Sequence, residues 1–307
     1  MRNASNRRGA VEVTYLEPPR LASFPAEWDQ LEYSSRSLVF HRDGDQLLRA
    51  WGPPDAPWAL GVEEAGDRWK VTSWGAPPGV ARQAARDLFS LDHPLEEFYR
   101  LVRKERVLRG TERRFRGLRL PRDSSVYEAL LHSIVGQQLS VTAANTIKQR
   151  IFDATEARLR VDGHDVPRVP TPRELHRLGP DGLRRAGLSR AKTRAILSLA
   201  DRTAAGHLET ERFRVGPTEA AIEALDAEPG VGRWTAENAL LRATGRCDLF
   251  IAGDLGIRVA LERYRVLRKN APEAAARAWA DRWYPGWGSY ATLYLWRRLV
   301  SELRSTG

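Results

Sequence analysis

Two periodicities divide the chain. Up to about residue 75, apolar and polar positions alternate with period two, the mark of strands buried on one face. Ser37–His41 and Gln46–Trp51 flank Asp43-Gly44, a dipeptide suited to the positive φ angles of a tight hairpin, and Trp58–Val62 and Arg68–Thr72 read as further strands. This predicts a small antiparallel sheet, then a helix over Val80–Phe89 and another from about Pro94. From about residue 111 the period is helical. Ser125-x-x-Glu128 has capping-box spacing, with Val126, Leu130 and Ile134 following on one face. Val141, Ala144, Ile147 and Ile151 mark a helix from near Ser140. Thr171-Pro172-Arg173-Glu174 is a second box with Pro at the first helical position. Helices are further predicted over Ser189–Ala205, Pro217–Ala227, Arg233–Thr244, Asp254–Leu267, Pro272–Trp283 and Ser289–Arg304, with no strand among them. The fold class is α+β. A small antiparallel-sheet N-terminal domain (1–110) precedes a mostly α-helical region (111–307) of two subdomains.

Length and composition narrow the function. The 307 residues suffice for two domains, or three closely packed subdomains. The single cysteine, Cys247, excludes an internal disulfide framework, a four-cysteine zinc site and a cysteine-ligated iron–sulfur cluster. No run approaches 18 apolar residues, and the start lacks the apolar core of a secretory signal, so a soluble, cytoplasmic protein without a membrane partner is expected. In a bacterium it would be nucleoid-associated. The net charge of +10 favours a polyanion, nucleic acid first, although an Arg-rich solvated surface produces the same sign. Histidines 41, 93, 132, 164, 176 and 207 form no metal-binding spacing.

The most informative stretch is a helix–Pro229-Gly230-Val231-Gly232–helix hairpin within 218–244. Two glycines around one apolar residue permit a tight turn with no Cβ in the way of a ligand. The following helix then opens with unsatisfied N–H groups and its positive dipole end outward, a setting that suits a DNA phosphate. An ordinary Gly-rich turn between helices explains the same four residues.

Taken with what surrounds it, the stretch resembles the helix-hairpin-helix DNA glycosylase superfamily. The pattern Pro-Gly-Val-Gly precedes a helix, and Asp254 follows about 20 residues on, within Asp248–Arg258. Tyr127–Ser140 resembles the superfamily's helix ending in a Gly-Gln-Gln loop. Trp287-Gly288-Ser289-Tyr290 with Trp296 resembles the closing helix of the alkylbase (3-methyladenine) DNA glycosylase II branch.

The resemblance implies a monofunctional enzyme of base excision repair that flips N-alkylated purines from double-stranded DNA and hydrolyses their glycosidic bonds. It implies a monomer without redox cofactor or catalytic metal. Asp254 would be the catalytic carboxylate; the same residue in Gly253-Asp254 also suits a helix N-cap, while Asp248 reads as a turn residue. Trp234 stands where bifunctional members carry the Schiff-base lysine. Trp234, Trp287 and Tyr290 would line the base pocket, with Asn238 where the branch can carry a tyrosine. Trp283 and Tyr284 are further candidates, Trp283 and Trp296 being better suited to the core. Gly230, Val231, Gly232 and Arg233 would meet the DNA backbone; Gln137, Gln138 and Leu139 would contact DNA from the Gly-Gln-Gln loop, with Gln138, or else Leu139, filling the gap left by the flipped base. Main-chain carbonyls of Asp226, Glu228 and Val231 would hold a structural Na+ or K+. Two other readings remain open: a non-catalytic lesion-binding module, and a glycosylase for deaminated or oxidised bases.

Overall fold

The computed structural model describes residues 11–24, 37–53 and 55–305. Strands β1 (Val11–Leu16), β2 (Phe40–Asp43), β3 (Gln46–Trp51), β4 (Trp58–Ala65) and β5 (Arg68–Trp74) form an antiparallel sheet in the order β1-β5-β4-β3-β2. Helix α1 (Pro78–Leu88) covers one face, where Leu47, Leu60, Val62, Trp69 and Val71 close on Ala81, Ala85 and Leu88. The β2–β3 register pairs Asp43 with Gln46, so the hairpin loop is Gly44-Asp45, one residue later than its sequence signal, with φ 56° on Gly44. Ser37–Val39, expected in the strand, is a single 3-10 turn.

The remainder is built from α2 (Leu95–Val102), α3 (Val126–Gly136), α4 (Val141–Thr155), α5 (Pro172–Ala186), α6 (Arg190–Ala204), α7 (Thr218–Asp226), α8 (Arg233–Ala243), α9 (Leu255–Arg263), α10 (Glu273–Trp283) and α11 (Gly288–Ser305). Short helical turns lie at Thr111–Arg114 and Thr210–Arg214. One expectation fails here: the helical region contains a hairpin, β6 (Arg158–Val161) and β7 (His164–Pro167). Asp162 (φ 46°) and Gly163 (φ 89°) both adopt the left-handed conformation that a type I′ turn requires. Val161 and Val166 then pack on Leu48, Ala50 and Ala59, capping the sheet face that α1 leaves open. That burial holds a two-stranded unit too short to stand alone. Among the described residues no helix is long and apolar enough to cross a membrane.

Helix α3 is the axis of the larger core, and Val126 to Val135 are all buried. A one-sided apolar stripe is therefore too narrow a description of it, since a helix buried all round needs its polar groups paired. The Ser125 side chain caps Glu128 N at 3.2 Å, but the other half of the expected box is missing. The Glu128 carboxylate instead accepts from Ser124 N and Oγ (3.0 and 2.5 Å) and from the guanidinium of Arg49 on β3. Both side chains of this ion pair are 1% exposed. Arg49 also lies over the rings of Phe40 and Trp51, at 4.7 and 5.2 Å. The sheet is thus bolted to α3 by a charge pair that neither partner can leave for water. At Thr171 the capping box forms in full, and Arg168 pairs with the same Glu174.

Arg49→Ala should therefore destabilise the protein by about 3–5 kcal/mol, read as a lower urea midpoint, because it strands a buried carboxylate. Arg49→Met with Glu128→Gln should recover most of the loss; an additive double mutant would contradict this. Burial, with Lys148 adding repulsion, pushes His132 beside this pair down to about 4. The imidazole is neutral in the fold, whereas an unfolded chain takes up its proton near pH 6.5. Stability should thus decline from pH 6.5 toward 4, by up to about 3 kcal/mol for this group. Urea midpoints at pH 7.5 and 4.5 test this, with the decline shrinking in His132→Phe.

Candidate active site

The hairpin between α7 and α8 is fixed from beneath. Gly230 has φ 79°, and a Cβ there would lie 2.4 Å from Ala195 Cβ on α6, so backbone and packing both demand glycine. Val231 is buried, and its N–H donates to Glu228 O at 3.0 Å, closing the turn. Gly232 is the N-cap of α8, makes no side-chain cap and has open space where a Cβ would be. The first amides of an 11-residue helix therefore face outward beside an exposed glycine, as an incoming anion needs.

Gly136-Gln137-Gln138-Leu139, at the end of α3, is strapped to this hairpin. Gln137 Nε2 donates to Gly230 O (2.9 Å) and Thr235 Oγ1 (3.0 Å). From α6, Lys192 Nζ donates to Val135 O (2.9 Å) and Gln137 O (2.6 Å). Gln137 thus has a structural engagement, and the next two residues project: Gln138 is exposed with φ 56°, and Leu139 is 40% exposed. Arg233 is drawn aside, its guanidinium paired with Glu219 (2.5 Å) and Glu237 (3.0 Å). Arg277 shares Glu237 at 3.1 Å. Of the three carbonyls considered for a monovalent cation, that of Glu228 already accepts from Val231. Its second lone pair leaves the donor set compatible in kind with Na+ or K+.

Asp254 meets α8 at Trp234, in the first turn after the hairpin. The segment before it lies in irregular backbone along α11, with Leu249 N bonded to Ser289 Oγ (3.1 Å) and Ile251 N to Thr292 Oγ1 (3.3 Å). A Cβ at Gly288 would meet Phe250 N at 2.9 Å, so that glycine allows the close approach. Asp254 then caps α9, Oδ1 accepting from Ile257 N at 3.0 Å. The same oxygen accepts from Trp296 Nε1 (2.8 Å), and Oδ2 from Trp234 Nε1 (3.1 Å). Cap and catalytic candidate are one residue, and its carboxylate is aimed by two indoles.

Trp234 is half-buried, and Asn238 lies one turn on along α8, also half-buried. Trp287 and Tyr290 meet edge-to-face at 5.4 Å, with Trp287 8% exposed and Tyr290 fully buried behind it against Phe98. Tyr284 is buried beyond them, while Trp283 and Trp296 pack on the core from its margin. Asp248 is exposed, accepting from Thr218 Oγ1 at a loop, as a turn residue would. Burial raises the Cys247 thiol to about 12, which makes it unreactive.

Two contributions escape sequence reasoning. Trp296, read as core filling, also orients Asp254 from 42 residues away. His93, noted in the sequence only as one of six histidines without metal-binding spacing, joins its Nδ1 to Tyr290 Oη at 2.9 Å, and burial beside Arg122 and Arg119 pushes it down to about 4. No local pattern announces either contact, because each exists only once α11 is in place.

The likeness to known proteins follows this architecture. A DNA-3-methyladenine glycosylase of Bacillus subtilis is 28% identical over 211 residues, 69% of this chain and 69% of that protein. DNA-3-methyladenine glycosylase 2 of Escherichia coli is 32% identical over 183 residues, 59% of this chain and 60% of the relative. The matched region therefore spans 60 to 69% of the length of these relatives. A solved structure of 3-methyladenine DNA-glycosylase from Archaeoglobus fulgidus has the same fold, with TM-score 0.81 at 24% identity over 92% of this chain and 97% of that one. The model of the HhH-GPD superfamily base excision DNA repair proteins matches residues 131–285. Reaching from the buried axis α3 through hairpin and Asp254 to Tyr284, that match covers half of the chain and makes it a member of the HhH-GPD superfamily.

Proposed function

We propose that the chain is a monofunctional DNA glycosylase that removes N-alkylated purines, of the 3-methyladenine and 7-methylguanine type, from double-stranded DNA. The observation that carries this reading is the Asp254 carboxylate, held by two indole N–H groups and a helix N-terminus, beside a position 234 that has no amine. Breaking an N-glycosidic bond builds positive charge on the deoxyribose. A fixed carboxylate about 4 Å away stabilises that charge by about 4 kcal/mol at an effective dielectric near 20. That is roughly three decades of rate. Because both oxygens only accept hydrogen bonds, the group is oriented in advance and loses nothing to reorganisation as charge develops.

An alkylated purine is already cationic and leaves without further protonation. Trp234 has its ring plane set by the bond to Asp254, which places a rigid aromatic face next to the carboxylate. Trp287, backed by Tyr290, supplies a second aromatic face. Cation–π attraction then favours such a base over a neutral one by about 0.5–2 kcal/mol. Flipping it costs a few kcal/mol, and the projecting Gln138 and Leu139 are placed to fill the gap. The amides at Gly230–Arg233 hold a phosphate without reading sequence. A monovalent cation bound by the carbonyls of Asp226, Glu228 and Val231 would add positive charge there. The protein acts as a monomer.

Asp254→Asn should lower release of 7-methylguanine from duplex DNA by about a thousandfold, while binding to abasic-site duplex stays within a few-fold. Undiminished release would remove Asp254 from the chemistry. Trp296→Phe keeps the packing and removes one donor, so kcat should fall about tenfold with KM unchanged; a change in KM alone would argue for a packing role. On duplexes with single defined lesions, alkylated purines should be released with the strand intact until alkali. Borohydride trapping of a covalent enzyme–DNA complex would overturn the monofunctional reading.

A further inference from the structure

A second built cavity lies away from Asp254, between the loop after α2 and the far end of α10. Its volume is about 330 Å³, and Lys104, Arg106, Arg109, Val266, Trp279 and Trp283 line it with Glu105. All three cationic residues are exposed. Arg106 Nη2 is steadied by Arg265 O at 2.7 Å, and neither Lys104 nor Arg109 pairs with a carboxylate among the described residues. The one acidic residue of the lining, Glu105, is 2% exposed and turned inward. It accepts from Val107 N (2.7 Å), Leu108 N (3.1 Å) and Tyr284 Oη (2.9 Å). Its carboxylate shapes the loop that displays the cations and does not reach them.

In the aromatic wall Trp279 is held between Phe250 (6.0 Å) and Tyr284 (5.4 Å) at steep interplanar angles. Trp283 lies one turn on at the helix end, half-buried, with the Arg282 guanidinium over its ring at 5.4 Å and the other face left for a base. The positive surface continues on the turn after α9, where Arg265, Arg268 and Lys269 are exposed. Cations that follow a phosphate backbone beside indoles on which bases stack are the means by which proteins hold single-stranded nucleic acid. The volume suits a single nucleotide rather than a duplex, whose bases present no free face.

We propose that this cavity is a second nucleic-acid site, which takes an aromatic base stacked on Trp283 and Trp279 with its phosphate on Lys104, Arg106 and Arg109. The ligand chemistry has two sources, an unpaired stretch of a DNA strand or a free mononucleotide. The inference goes beyond the glycosylase reading and does not depend on it, since none of these residues touches Asp254.

Fluorescence anisotropy of a labelled eight-nucleotide single strand is measured on the full chain, with the excision site saturated by unlabelled abasic-site duplex. The strand should still bind. Trp283→Ala should weaken binding about 5- to 150-fold, the usual range for one lost base stack. Lys104→Glu with Arg109→Glu should weaken it at least tenfold and flatten its salt dependence. Both variants should keep the wild-type far-UV circular dichroism spectrum, which shows that they fold. In a parallel arm, displacement of the strand by dAMP identifies a mononucleotide site, and its failure identifies a strand site. Loss of strand binding once the duplex is present, or unchanged binding by both variants, overturns the proposal.

Discussion

The interaction that ties α8, α9 and α11 together is the clamp on the Asp254 carboxylate. An aspartate in irregular backbone can turn to solvent at little cost. Here its two oxygens take three hydrogen bonds, from Trp234 on α8, from Trp296 on α11 and from the first turn of α9. Three helices must therefore be in register before the carboxylate is aimed. The close contact of Gly288 with the 248–250 backbone and the hydroxyls of Ser289 and Thr292 hold that register. An N-cap alone would stabilise α9; the two indoles turn it into a directed charge.

The same economy holds at the turn between α7 and α8. Gly230 is required by its φ and by Ala195 beneath it, while Gly232 leaves the start of α8 open. Gln137 and Lys192 join the hairpin, the loop after α3 and α6 into one bonded unit, which fixes where Gln138 and Leu139 project. Arg233, which the resemblance sends to the DNA backbone, pairs with Glu219 and Glu237. That leaves the backbone amides at the start of α8, rather than that side chain, open to an anion. They cost no side-chain entropy on binding and are indifferent to sequence, which suits an enzyme that must inspect any stretch of DNA.

The N-terminal sheet belongs to this machinery more closely than its composition suggests. Arg49 enters the core to neutralise Glu128 on the buried axis α3, and β6–β7 reaches back to seal the sheet's second face. His93, just beyond α1, holds the hydroxyl of Tyr290 behind Trp287. A wall of the aromatic region is thereby braced from outside the segment matched by the superfamily model, which begins at residue 131.

What the sequence determined by itself is whatever short-range chemistry dictates. The capping residues Ser140, Thr171 and Asp254, the glycines of the hairpin and the switch from period two to helical period all act within a few positions, and each appears where its pattern places it. The β6–β7 hairpin carried an Asp162-Gly163 signal of the same kind, yet two four-residue strands owe their existence to burial against a distant sheet. Only the tertiary structure decided which donors aim Asp254, where Glu128 sends its carboxylate, and that Arg233 pairs with two carboxylates. Those outcomes join residues tens of positions apart, and the energy that selects them comes from removing charges and indoles from water together, which no local pattern of residues encodes.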